Sequence, residues 1–190
     1  MAVPVRLATE ADAEAITRIV NAAILRSHAH FRLEPDQVES TRAAWRSEHE
    51  RYPWLVADGS DGVIGYALAT RHRVREAYDW TVQTSVYLDP NHVRASVGSA
   101  LYERLLATLR AQGYVVALAG VALPNAPSVA LHEKLGFKRV ALFERVGWKF
   151  RRWHDVVYYH LFLQPPAAEP DAEPGPLRSV AEVWARQARG

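Results

Sequence analysis

Residues 81–123 constrain the fold most, because they join three patterns that fit together in few ways. TVQTSVYL (81–88) alternates as a strand does, and Asp89-Pro90 ends it. A run of small residues then leads into an amphipathic helix over about 99–112, whose core face is given by Leu101, Leu105 and Leu109 and widened by Tyr102 and Leu106. YVVALAGVAL (114–123) has the near-continuous apolar character of a strand covered on both faces. Together these patterns predict an α/β domain.

Similar patterns extend this core in both directions. Alternating or apolar runs predict strands over 3–8, 53–58, 63–70, 137–143 and 155–163. A helix follows the N-cap residue Thr9, a polar surface helix is expected within 34–50, and a short helix opens at Asn125 and Pro127 and ends at Gly136. The predicted order is therefore β-α-α-β-β-β-loop-α-β-α-β-β.

Length and composition exclude several classes of protein. A chain of 190 residues with 49% hydrophobic content suits one well-buried domain, predicted over 1–163, with a Pro-rich linker over 164–176 and a tail over 177–190 that could form a short helix. The net charge is only +2 and the basic residues are scattered, so nucleic acid is not expected as a partner. No apolar run approaches the roughly 20 residues of a membrane helix. The chain has no cysteine, and we expect a cytoplasmic protein.

The small residues before the 99–112 helix predict an anion site. The first amides of a helix have no internal acceptor, so Val97, Gly98 and Ser99 could cradle a phosphate. The loop carries neither a Walker motif nor a dinucleotide fingerprint. Taken alone, Gly98 is better explained by close packing of the helix on the sheet than by an anion site.

A second candidate site lies on the helix after Asn125. Asn125, Ser128 and His132 are spaced i, i+3, i+7, which places them on one helical face, and an imidazole titrates near neutrality. The segment HEKLG resembles a zinc-protease motif, but Gly136 stands where the second histidine ligand belongs. We therefore expect no metal.

The element order and several segments resemble the GNAT superfamily of N-acetyltransferases, and most closely the phosphinothricin N-acetyltransferase family. The segments that carry the resemblance are IVNAAI, FRLEP, RYPWLVAD, REAYDWTVQTSVYL, GSALYERLL, AQGY, LPNAPSVALHEKLGF and WHDV. The resemblance implies a mixed central sheet of about seven strands with helices on both faces. It also implies direct transfer of an acetyl group from acetyl-CoA to the primary amine of a small amino-acid-like compound, and a homodimer.

The same resemblance assigns site residues. His132 and Gln83 take the catalytic positions. The implied coenzyme contacts are Val86, Leu88, Arg94, Val97, Gly98, Ser99, Ala100, Asn125 and Ser128. The implied acceptor contacts are Phe31, Arg32, Arg75, Tyr78 and Trp153, since an arginine fork suits a carboxylate or phosphinate.

Two residues depart from the family pattern. Gln83 stands where the family has a glutamate, and an amide cannot accept a proton, which would remove a contribution of about a hundredfold to ten-thousandfold. Ser96 replaces a glycine, and a left-handed backbone there would cost about 1 kcal/mol and weaken coenzyme binding. Two alternatives therefore stay open: a protein that binds the coenzyme without turnover, and an acyltransferase with a changed substrate.

Overall fold

The computed structural model describes residues 3–92, 95–164 and 173–187. Its seven strands are β1 (Val5–Leu7), β2 (Trp54–Gly59), β3 (Gly62–Arg71), β4 (Thr81–Leu88), β5 (Val116–Ala122), β6 (Lys138–Lys149) and β7 (Arg152–Phe162). Its five α-helices are α1 (Ala13–Arg26), α2 (Val38–Glu48), α3 (Ala95–Gln112), α4 (Ala126–Lys134) and α5 (Val180–Gln187). None of the helices in these ranges is both long and apolar enough to cross a membrane.

One sheet contains all seven strands, in the order β1-β2-β3-β4-β5-β7-β6. Adjacent residues of β2 point to opposite faces of it: Leu55 joins the core cluster that includes Leu101 and Leu105 of α3, whereas Val56 joins a second cluster with Ile16 of α1. Apolar helices therefore cover both faces, and the predicted mixed α/β fold is confirmed.

The sheet divides between its two central strands. β4 and β5 run parallel but pair over only three residues each, and the last paired rung joins Gln83 to Leu118. Beyond this rung β4 stays paired with β3 on its other side, and the far end of β5 stays paired with β7. The facing edges from Thr84 to Leu88 and from Ala119 to Ala122 therefore separate and leave a wedge-shaped gap in the sheet.

Helix α3 begins earlier than the sequence pattern predicts. We expected it to start near Ser99, but it begins at Ala95 and includes Ser96 and Gly98. Alanine and serine are compatible with a helix, and the packing of Leu101 and Leu105 against the sheet outweighs the cost of about 1 kcal/mol for an internal glycine. The helix ends as expected, at Gly113, whose φ of 101° favours glycine.

The C-terminal segment packs on the rest of the chain. The predicted linker over 164–176 was not expected to pack, yet Trp80 Nε1 donates to the Gly175 carbonyl at 2.9 Å. Residues 165–172 and 188–190 lie outside the described ranges. In α5, Val180 and Val183 are buried. The Arg104 guanidinium of α3 stacks over the Trp184 ring, with its central carbon 4.1 Å from the ring centre. The tail thus extends the main core by one helix.

Candidate active site

A cavity of about 700 Å³ fills the gap between β4 and β5. Its walls come from both separated strands, from α3 and α4, and from the C-terminal end of α1. Seven of the residues predicted from the sequence line it: Val86, Leu88, Gly98, Ser99, Asn125, Ser128 and His132. The structure therefore brings most of the expected coenzyme contacts, and the expected catalytic histidine, to one concave surface.

His132 is buried in the wall of this cavity at the end of a hydrogen-bonded chain. Its Nε2 lies 2.9 Å from Tyr102 Oη, which lies 3.0 Å from Thr84 Oγ1. The Thr84 hydroxyl donates in turn to the Leu118 carbonyl at 3.1 Å. On the other side of the ring, His132 Nδ1 lies 2.7 Å from the Ser128 carbonyl. This hydrogen-bonded chain thus runs from α4 through α3 to the point where β4 and β5 separate.

A count of protons shows which form of the imidazole this chain suits. The Ser128 carbonyl only accepts, so Nδ1 carries a proton, and Thr84 uses its one proton on the Leu118 carbonyl. Tyr102 must then donate to Thr84, which leaves it only able to accept from His132. The four hydrogen bonds, from His132 to the Ser128 carbonyl, from His132 to Tyr102, from Tyr102 to Thr84 and from Thr84 to the Leu118 carbonyl, form together only when Nε2 also carries a proton. Neutral His132 leaves one of them unmade.

Burial, in contrast, favours the neutral form of His132. It lowers the pKa of His132 because the charged ring loses hydration, and the hydrogen bond to the Ser128 carbonyl partly offsets that loss. Burial also raises the pKa of Tyr102, so the phenol stays protonated. His132 is therefore neutral at physiological pH, and a proton arriving at Nε2 completes the chain. The neutral ring therefore has one site, Nε2, that can take a further proton.

Gln83 faces the other side of the sheet and does not line the cavity. It is next to Thr84 on β4, so the two side chains point to opposite faces, and it lies on the last rung shared with β5. No carboxylate is among the described residues that line the cavity. His132 is thus the one group in that lining whose ordinary pKa lies near neutrality.

The start of α3 shifts the expected anion cradle. In a helix that begins at Ala95, the amides without an internal acceptor belong to the first turn, whereas those of Ser99 and Ala100 lie within the helical ladder. Val97 is buried in the core, and Ala100 does not line the cavity. The first-turn amides therefore begin two residues before the expected set and still include that of Val97, and Arg94 lies outside the described residues.

Ser96 and Gly98 differ from what the sequence suggested. Ser96 is helical and not left-handed, so the expected strain and the weaker coenzyme binding derived from it do not apply. A Cβ at Gly98 would lie 3.5 Å from Leu131 and 3.8 Å from Leu88, which are ordinary contacts. Close packing therefore does not require this glycine, and its bare surface faces the cavity instead.

Asn125 has a structural role besides its position in the cavity. Its side-chain oxygen caps α4 by accepting from the Ser128 amide at 3.2 Å. This cap holds the first turn of α4, and hence the Ser128 carbonyl that orients His132.

None of the five expected acceptor residues lines the main cavity. Arg32 pairs with Asp36, Phe31 packs over Gly147, and Tyr78 stacks edge-on against His72. The remaining two are Arg75, which precedes the short helical turn before β4, and Trp153, which is exposed beside Trp148 on the outer hairpin.

Sequence reasoning assigned no catalytic role to several residues of the site. Tyr102 was taken only as part of the helical core face, although a buried tyrosine needs a partner for its hydroxyl. Thr84, Lys134 and Arg26 also line the cavity. Within the ranges that the structure describes, no cluster of three His, Asp or Glu side chains could hold a metal ion.

A split sheet with a buried imidazole beside the gap defines a cleft enzyme built to hold an extended ligand between two strands. Residues 5–158 match the family model of the acetyltransferase (GNAT) domain, and the chain belongs to this family. It is 39% identical to the phosphinothricin N-acetyltransferase of Streptomyces viridochromogenes, covering 95% of this chain and 96% of that protein. It is 37% identical to the L-methionine sulfoximine/L-methionine sulfone acetyltransferase of Salmonella typhimurium, over 88% of this chain and 98% of the relative.

A solved structure shows the same architecture. The phosphinothricin acetyltransferase of Sinorhizobium meliloti in complex with AcCoA superposes with a TM-score of 0.86 at 30% identity, covering 92% of this chain and 94% of that one.

The proton count predicts how Tyr102→Phe changes the pKa of His132. The variant removes the acceptor for Nε2–H in the charged ring, and hydrogen bonds to charged groups are the stronger ones, so the His132 pKa should fall further. An NMR titration of the ring protons measures it. Tyr159→Phe is the matched control, since Tyr159 also stacks on His132 but its hydroxyl bonds Glu133. A rise of the His132 pKa in Tyr102→Phe would contradict the assigned donor directions.

Proposed function

We propose that this protein transfers an acetyl group from acetyl-CoA to the primary amine of a small amino-acid-like compound of the phosphinothricin, methionine sulfone or methionine sulfoximine type. The observation that carries the proposal is the buried proton acceptor His132 in the wall of the gap between β4 and β5. The printed names of the relatives support the acceptor class. The absence of cysteine suits a reducing compartment, and we place the activity in the cytoplasm.

The cavity suits the coenzyme in shape and in chemistry. Its volume of about 700 Å³ is that of a small-molecule site, and its long wall is a strand edge whose backbone groups have no strand partner. Val86 and Leu88 would offer these backbone groups to the pantetheine amides, and Asn125 and Ser128 would border it from α4. Acetyl-CoA supplies an acetyl thioester, which an amine can attack directly.

His132 would handle the proton of this reaction. As the C–N bond forms, the proton that the amine loses would pass to Tyr102 Oη while the phenol proton passes to His132 Nε2, whose single proton site points at Tyr102, and the completed hydrogen-bonded chain accommodates the new charge. As the C–S bond breaks, the same relay runs in reverse: Nε2 returns a proton to Tyr102 Oη, and the phenol gives its proton to the sulfur. The proton thus moves from nitrogen to sulfur, and the enzyme is restored without a covalent intermediate.

Gln83 would orient the acceptor from the other face. Its amide can accept a hydrogen bond from an amine or a water but cannot take a proton. In this arrangement His132 carries the acid–base chemistry through Tyr102.

An assay of free thiol release tests the proposal. Purified protein, acetyl-CoA and a panel containing phosphinothricin, methionine sulfone and methionine sulfoximine should release thiol with at least one amine. His132→Ala should lower kcat by about 10²–10⁴ while coenzyme binding, measured by calorimetry, persists. Coenzyme binding without release from any amine would show a protein that binds but does not catalyse, and release only with unrelated amines would show a changed acceptor.

Gln83→Glu should increase the rate with these acceptors by about tenfold or more, because a carboxylate at the gap adds a second proton acceptor. The comparison is kcat at saturating acceptor for wild type, Gln83→Glu and the uncharged control Gln83→Met. An unchanged or lower rate in Gln83→Glu would mean that the reaction does not need a second proton acceptor at this position.

We also propose a homodimer formed through the outer hairpin. β6 is an edge strand, and an exposed apolar edge promotes association. Eight large apolar side chains of the hairpin are exposed: Val140, Leu142, Phe143, Val146, Trp148, Phe150, Trp153 and Phe162. A second copy covering the same patch forms a closed two-fold pair.

Val146→Lys should convert this dimer to a monomer, because it places a charge in the apolar patch. Sedimentation velocity at micromolar concentration measures the change, with the exposed neighbour Glu144→Gln as control. A monomeric wild type, or a dimer that survives in Val146→Lys, would contradict the assignment of this surface.

A further inference from the structure

The chain segment after α1, residues 27–31, lies between the main cavity and the outer hairpin of β6 and β7. Two of its residues, Ser27 and Ala29, line the cavity. The segment continues from α1, which packs on the opposite face of the sheet from α3. The proposed coenzyme contacts in this cavity belong to β4, to α3 and to α4 with its cap. The 27–31 segment therefore borders the end of the cavity that is left for the acceptor.

A buried lysine of the outer hairpin holds this segment. Lys149, the last residue of β6, is only 4% exposed, and its Nζ donates to the Ile24 carbonyl at 2.6 Å and to the His30 carbonyl at 2.5 Å. Ile24 lies in the last turn of α1, where carbonyls have no helical partner and the helix dipole favours a cation. One ammonium group thus joins the end of α1 to the 27–31 segment.

Two further contacts hold the segment from the same side. The His28 ring stacks on the buried His154 ring with their centres 4.6 Å apart, and His28 Nε2 lies 2.8 Å from the Pro124 carbonyl. Phe31 lies against the backbone of Gly147, where a Cβ would come within 2.3 Å of its ring. The residues held in this way flank the two that line the cavity. The position of the hairpin therefore determines the position of this cavity wall.

The charge of Lys149 is unfavourable for stability at this position. Among the described residues no carboxylate lies within 4.0 Å of its ammonium group. Taking an unpaired charge out of water is costly, and an apolar side chain of similar length would avoid that penalty but would leave two carbonyls without a donor. Lys149 thus fixes the segment at a cost in stability, as residues that support functional sites commonly do.

We propose that Lys149 is a positioning residue for the acceptor: by holding the 27–31 segment against the outer hairpin, it sets the shape of the acceptor end of the cavity. The inference rests on the proposed acetyl transfer. The coenzyme end is built from other elements, so its affinity for acetyl-CoA should not depend on Lys149.

Lys149→Met tests the proposal in steady-state kinetics. Its KM for phosphinothricin should rise about tenfold, because two hydrogen bonds from a charged donor no longer hold the wall. Its KM for acetyl-CoA should stay within about twofold of wild type, and kcat at saturating acceptor within about threefold. Lys138→Met removes an exposed lysine from the other end of β6 and is the matched control.

Gly147→Ala reaches the same segment by a different route and keeps every charge. The added methyl group must displace the Phe31 ring, so this variant should show the same selective rise in the KM for phosphinothricin. It also decides the role of the segment if Lys149→Met does not fold. An unchanged KM for phosphinothricin in the folded variants, or an equal rise in the KM for acetyl-CoA, would overturn the proposal.

Hydrogen exchange separates this proposal from the proposed function, because it needs no turnover. The amides of the 27–31 segment should exchange faster in Lys149→Met than in wild type, while those of α3 stay unchanged. A wild type that is inactive with every amine would contradict the proposed function. Unchanged exchange in the 27–31 segment would by itself contradict the positioning role of Lys149.

Discussion

The short parallel contact between β4 and β5 is the constraint on which the site depends. Three paired residues on each strand hold the centre of the sheet together, and the remaining length of both strands separates. A gap of this kind leaves backbone N–H and C=O groups without partners, which is unfavourable unless water or a ligand satisfies them. The outer pairs with β3 and β7 keep both strands in place, so the gap persists without closing.

Thr84 stands at the point where the gap begins, and it links the backbone to the chemistry. Its hydroxyl bonds the Leu118 carbonyl across the last paired rung and also contacts Tyr102. The Thr84 side chain therefore lies where the β4–β5 pairing ends, and it is also the last side chain of the hydrogen-bonded series that reaches His132. A shift of one pKa unit corresponds to about 1.4 kcal/mol, so a single hydrogen bond in this buried chain is large enough to change the protonation of the imidazole.

Much of the fold follows from local patterns. The stripe of Leu101, Leu105 and Leu109 predicted a buried helix face, and all three are fully buried in α3. Gly136 was expected to end α4, and it adopts a φ of 87°, a conformation that only glycine takes freely. The run of small residues was less informative. Alanine, serine and glycine fit both a loop and a helix, and packing further along α3 decided in favour of the helix.

The sequence by itself determined the order of the elements, their apolar faces and the position of His132 on a helix, because these depend on residue spacing within one segment. Only the tertiary structure decided what His132 contacts. Tyr102 lies 30 residues away in the chain and contacts the imidazole, and Thr84, 48 residues away, is linked to it through Tyr102. The three side chains come together because α3 and α4 pack on the same face of a sheet that divides between β4 and β5. The identity of a neighbour in space depends on strand order and on where a pairing ends, and no spacing within a single segment records either.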